Sequence, residues 1–121
     1  MRASILLKSK TSASNIDVAE LHDAFTVCEL MAVKDLGFSE SVSGADYVRN
    51  LFNTENRKIN PRGGLIGAGH PLGATGVAQI MEITLQLQNK AKKRQIDGAK
   101  KGLIHNMSAA ATSSTVLILE S

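Results

Sequence analysis

The stretch GGLIGAGHPLGATG, residues 63–76, constrains this chain more than any other part of it. Six glycines in fourteen residues leave a main chain that can bend sharply and come close to a ligand, with Gly69 immediately before a histidine. Pro71 then suits the first position of a helix, because its missing N–H is no loss there and its φ is already set. The expectation is a helix over residues 71–87 that carries His70 on its first turn. Free backbone N–H groups gather at such a helix end. An imidazole placed there can exchange a proton or donate to an oxyanion.

Periodicity supplies the rest of the framework. Residues 16–22, with Ile16, Val18 and Leu21 between polar ends, read as a short strand, and Asp23 is suited to cap the next helix. AFTVCELMAVKDL, residues 24–36, reads as that helix, apolar around most of its circumference and stopping at Gly37. Residues 38–57 are polar and mixed, with a helical turn expected over 47–52. Residues 58–60 read as a short strand. In the 71–87 helix, Leu72, Ala74, Val77, Ala78, Met81 and Leu85 form the expected core stripe, with Gln79, Glu82 and Gln86 outward. Residues 102–107 and 115–120 complete the chain as two strands. The order implies an α/β fold of layered helices on a mixed β-sheet, with residues 1–15 as an atypical leading segment and 16–121 as one domain.

Composition narrows the functions open to such a chain. At 121 residues it is one domain and hardly two. The formal charge of +3 comes largely from Lys90, Lys92, Lys93, Arg94, Lys100 and Lys101, a pattern of solvated helix ends. No aromatic side chains are interleaved with them to stack bases, which speaks against nucleic acid. No apolar run is long enough to span a bilayer. Cys28, the only cysteine, excludes an internal disulfide and a cysteine-built zinc site, and suits a reducing, cytoplasmic setting. Residues 1–14 are basic and serine-rich, a composition shared with organelle-targeting segments; a short strand over residues 3–7 is the preferred reading.

Three stretches together resemble the C-terminal part of the thiolase superfamily, closest to its archaeal and sterol-carrier-protein-type branches. HDAF, residues 22–25, resembles the NEAF or HDCF motif. INPRGGLIGAGHPLGATG, residues 59–76, resembles the approach to the GHP motif, and KRQIDGAKKGLIHNM, residues 93–107, the segment before the last two strands. The resemblance implies a thiolase-like C-terminal half-domain, truncated at its N-terminal end and built to stack on a second, cysteine-bearing half. It further implies that a central strand is missing between residues 16–22 and 102–107, a gap that residues 3–7 could fill.

It also implies a coenzyme A-dependent acyltransferase acting through a covalent acyl-cysteine, with a coenzyme A thioester as substrate, no covalently bound cofactor and no metal. His70 would activate the nucleophile and help hold the thioester oxygen, and His22 would share that oxyanion site. Asn106 and the backbone N–H of Ser108 would line the substrate approach with Gly69. The nucleophile itself is absent from the matched segments. The second cysteine is absent too: Ala24 stands where HDCF has its cysteine, and Asn106 where other members have the cysteine of a CxG motif. Cys28 lies one turn beyond Ala24, about 6 Å along the helix, and reads as a small buried apolar residue. Expected partners are acyl-CoA and either further copies of this chain or a chain carrying the N-terminal half. The alternatives are a non-catalytic acyl-CoA-binding or assembly module and, on Gly67, Gly69 and Gly73, a dinucleotide-binding domain, whose G-x-G-x-x-x-G spacing is a weak match to the fingerprint.

Overall fold

The structure is a computed structural model that describes residues 10–54, 57–108 and 112–121; the strand expected over residues 3–7 lies outside them. A 3-10 turn, Ala13–Asn15, leads into β1, Val18–Glu20, in which all three residues are buried. Strands β2, Lys101–Met107, and β3, Ser114–Glu120, come much later in the chain. The sheet order is β1-β2-β3. β1 runs parallel to β2, with Val18 opposite Gly102 and Glu20 opposite Ile104, and β2 pairs antiparallel with β3 from Lys101–Glu120 to Met107–Ser114. On the other side of β1, Ala19 bridges Ile59 in parallel, so residues 58–60 act as the expected short edge.

The direct pairing of β1 with β2 corrects the expected gap between them. Asp17 ties the same two segments, its carboxylate accepting from the N–H groups of Lys100 and Lys101 at 2.9 Å each. No interposed strand is needed to satisfy these backbones.

Side-chain alternation along the sheet explains the layering. Ala19, Leu21 and Leu103 face a cluster completed by Ala32, Val33, Leu36 and Val48, contributed by α1, Thr26–Asp35, and α2, Gly44–Phe52. Val18 and Ile104 face the opposite way, onto Ile83 of the long helix Thr75–Leu87. A short helix, α3, Gly64–Ala68, precedes that long one, which is therefore α4. Helices cover both faces of the sheet. Gly102 permits the close approach of α4, because a Cβ there would overlap the Ile83 side chain. Among the described residues no helix is long and apolar enough to cross a membrane.

Two expectations fail here. Asp23 does not cap α1, whose N-cap is Phe25 without a side-chain bond; its carboxylate bonds Leu65 N instead. The stripe assigned to α4 is inverted. Thr75, Gln79, Glu82, Ile83 and Gln86 are buried, whereas Leu72 is 81% exposed, Val77 66% and Met81 60%. The polar residues are buried because each finds partners. Glu82 accepts from Arg94 Nη2 at 2.8 Å and from Gln86 Nε2 at 3.0 Å, and Gln86 in turn bonds Ile96 N and Arg94 O at 2.8 and 2.7 Å.

Candidate active site

The Gly-rich segment is held over the end of β1 by carboxylates and amides. Past Glu20 the chain leaves the ladder, and Leu21 N donates to Asn60 Oδ1 at 2.7 Å; Asn60 Nδ2 donates to Glu29 Oε1 at 3.2 Å. Asp23 Oδ1 accepts from Leu65 N at 2.6 Å, across 42 residues, and so holds the start of α3. Gly64 sits at φ +63, and a methyl group there would overlap the Asp23 carboxylate. Beneath the same segment lies Glu20, completely buried, 3.8 Å from Arg62 Nε. Burial pushes the Glu20 carboxyl up to about 7, with Arg62 opposing.

His22 and His70 meet above this floor. Their ring centroids are 5.0 Å apart with the planes at 88°, an edge-to-face pair. His22 is buried and His70 exposed, so one ring forms the wall of the site and the other its mouth. Desolvation pulls the His22 pKa below its ordinary value, helped by His70 and opposed by Asp23 and a hydrogen bond with Asn106. His70 does not lie on the first turn of a helix: residues 72–74 form a turn, and α4 begins at Thr75. The Pro71 carbonyl accepts from both Ala74 N and Thr75 N at 2.8 and 3.0 Å, closing that turn before the regular helix starts. His70 is fixed instead by Thr75, with 2.7 Å between Nδ1 and Oγ1. Gly69 precedes it at φ +87 in open space.

The other anticipated residues divide. Asn106 is brought to the site and gives one N–H of its amide to Gln79 Oε1 at 2.8 Å. The Ser108 N–H is donated to Ser113 O at 3.0 Å. Cys28 is a half-buried residue of α1.

Sequence reasoning missed Thr75 and His105, placed Gln79 outward and read Asp23 as a helix cap. His105 is buried, its Nε2 3.0 Å from Ser114 Oγ, and desolvation together with His22 lowers its pKa. The signal for Thr75 and Gln79 was their four-residue spacing on one face of an otherwise apolar helix, five and nine residues after His70. Among the described residues no group of three or more His, Cys, Asp or Glu side chains could hold a metal ion.

Two histidines, one past the end of β1 and one at the end of a glycine-rich approach, thus face each other on a layered α/β fold. Residues 4–121 match the family model described as thiolase C-terminal domain-like, and the chain belongs to that family. It is 49% identical over 102 residues to human sterol carrier protein 2, covering 83% of this chain and 19% of that protein. It is 40% identical over 112 residues to the acetyl-CoA acetyltransferase of Methanothermobacter thermautotrophicus, covering 91% of this chain and 29% of that one. The fold is shared with the peroxisomal 3-ketoacyl-CoA thiolase of Saccharomyces cerevisiae, at a TM-score of 0.58 and 22% identity over 98% of this chain and 27% of that one. That protein is described as five α-β-α-β-α layers built from two core domains of identical topology. The chain thus spans between a fifth and a third of the length of these relatives.

Proposed function

We propose that this chain supplies half of the active site of a coenzyme A-dependent acyltransferase of the thiolase type, the nucleophilic cysteine coming from the other half of the site, outside the residues of this sequence. The observation that carries this is the His22–His70 pair, 5.0 Å apart at the mouth of the site. In the reaction, the sulfur of that cysteine attacks the thioester carbonyl while His70 takes the thiol proton. His22 stabilises the developing oxyanion, the bond from the carbonyl carbon to the coenzyme A sulfur breaks, and the proton passes to the departing thiolate. Acyl-CoA is therefore the substrate and nothing is bound covalently beforehand. A cytoplasmic setting belongs to the same reading, on the reducing environment that suits the free thiol of Cys28.

A second reading rests on Ala24, which stands where HDCF carries its cysteine: a module that binds acyl-CoA or an assembly partner without chemistry. Acyl-enzyme formation, followed by mass spectrometry in a complex with a cysteine-bearing half, separates the two. His70→Ala is expected to slow acylation by more than about tenfold, the scale of a lost general base. Equal acylation of His70→Ala and wild type removes the catalytic reading and leaves the binding module. The chain by itself is expected to show no thiolytic cleavage or condensation of acetoacetyl-CoA.

A further inference from the structure

The inward face of α4 does more than fill space between helix and sheet. Thr75 is 2% exposed on it, with its hydroxyl oxygen 2.7 Å from His70 Nδ1. We infer that Thr75 is a positioning residue that holds His70 with its proton on Nδ1 and a bare, accepting Nε2.

For His70 the reasoning starts from the one proton of a hydroxyl. Thr75 Oγ1 lies 3.2 Å from Pro71 O, the bond from a helical threonine to the carbonyl four residues back. A carbonyl can only accept, so the hydroxyl proton goes there. Oγ1 is left as an acceptor 2.7 Å from His70 Nδ1, and Nδ1 carries the hydrogen. The neutral ring then has its lone pair on Nε2, the nitrogen left to act as a base.

Gln79, one turn further on, belongs to a separate network. Its Nε2 donates to His105 O at 3.2 Å, one residue past the last β2 position that β1 pairs with, Ile104, and its Oε1 accepts from Asn106 Nδ2 at 2.8 Å.

The protonation state belongs to the chain itself; its catalytic consequence rests on the acyltransferase function proposed for the site. The test is nitrogen NMR of the histidine rings in the full chain near neutral pH, on wild type, Thr75→Val, Thr75→Ser and Gln79→Leu, with backbone spectra reporting the fold. In wild type, His70 is expected as the Nδ1–H form. Thr75→Val should lose that preference and Thr75→Ser restore it, both leaving His22 unchanged. Gln79→Leu, on the same helix face but outside the Thr75–His70 bond, should leave His70 as it was. A wild-type His70 protonated on Nε2, or a form indifferent to Thr75→Val, overturns the inference. If Thr75→Val unfolds the chain, wild type and Thr75→Ser decide it, because both must show the Nδ1–H form. In the complex with a cysteine-bearing half, Thr75→Val should slow acylation by about tenfold and Thr75→Ser should recover it. A correct ring state with unchanged acylation would sink the proposed function and leave the positioning role standing.

Discussion

The two sides of α4 are made of the wrong residues for an isolated domain, and the contrast is instructive. Its inner side, Thr75, Gln79, Glu82 and Gln86 around an apolar contact at Ile83, is polar and buried. Its outer side, with Leu72, Val77 and Met81, is apolar and exposed. α1 repeats the pattern, with Phe25 71% and Met31 60% exposed. Polar groups stay buried when they are hydrogen-bonded, and the inner side satisfies that condition through Glu82–Arg94, Gln86–Ile96 and Gln79–His105. Apolar patches of this kind mark surfaces that meet another protein. The inside of this domain is thus tied by hydrogen bonds, and its outside leaves large apolar side chains in the open.

The sharpest break between the sides should come from cutting an apolar side chain on each. Ile83→Ala removes a completely buried side chain wedged over Gly102 and is expected to lower stability by about 2–5 kcal/mol. Met81→Ala, two residues away and exposed, should change it by less than about 0.5 kcal/mol. Urea midpoints give both. Comparable losses at the two positions would show that Met81 is already covered in solution, by another copy of the chain. Sedimentation at micromolar concentration reads that directly: wild type should run as a dimer or larger, and Val77→Ser with Met81→Ser should move it towards monomer.

The next effect tests the polar floor. The Glu20 carboxyl is lifted to about 7 from an ordinary 4.5, burial being the main cause, with Glu82 and Asp23 adding to it and Arg62 opposing. Because its folded-state value is the higher one, its contribution is whole below about pH 4.5 and is lost as pH rises through 7. A difference of this size corresponds to about 3 kcal/mol. His22 and His105, whose values burial depresses, act in the opposite direction as pH falls. The clean comparison is therefore between wild type and Glu20→Gln, in which the histidines cancel. Relative to wild type, the variant should gain stability steadily between pH 4.5 and 7. A gap that stays constant with pH would mean that Glu20 is ionised throughout.

What the sequence revealed of all this depended on whether a signal was local. The helix around residues 24–36 and the two final strands could be read from periodicity, because each buries residues at its own spacing, whereas the short helix Gly64–Ala68 hid in its glycines. The meeting of His22 with His70 was implied by motifs rather than by geometry. The inversion of α4 could not be read, since spaced apolar residues tell which face avoids water and not which neighbour covers it. Asp23 looked like a cap for the helix beside it, but it bonds Leu65 instead; nothing local distinguishes a carboxylate used within the next turn from one used 42 residues away. The Ser108 N–H likewise has a partner that no local signal announces, Ser113 O.

The smallest effects compare inside with outside within a single turn. Gly64 and Gly67 lie three residues apart in α3. At Gly64, φ is +63 and a methyl group would meet the Asp23 carboxylate, whereas at Gly67 it would meet nothing within 4 Å. Gly64→Ala must therefore distort the backbone or push Asp23 away from Leu65 N, and should lower stability by about 1–3 kcal/mol. Gly67→Ala replaces a flexible residue inside a helix and should be neutral or stabilising by up to about 1 kcal/mol. If a loss at Gly67 matched that at Gly64, the outer surface of α3 would have to be in contact with something, as the outer side of α4 is proposed to be. Gly67→Ala is thus a probe of covering that leaves His70 and its partners untouched.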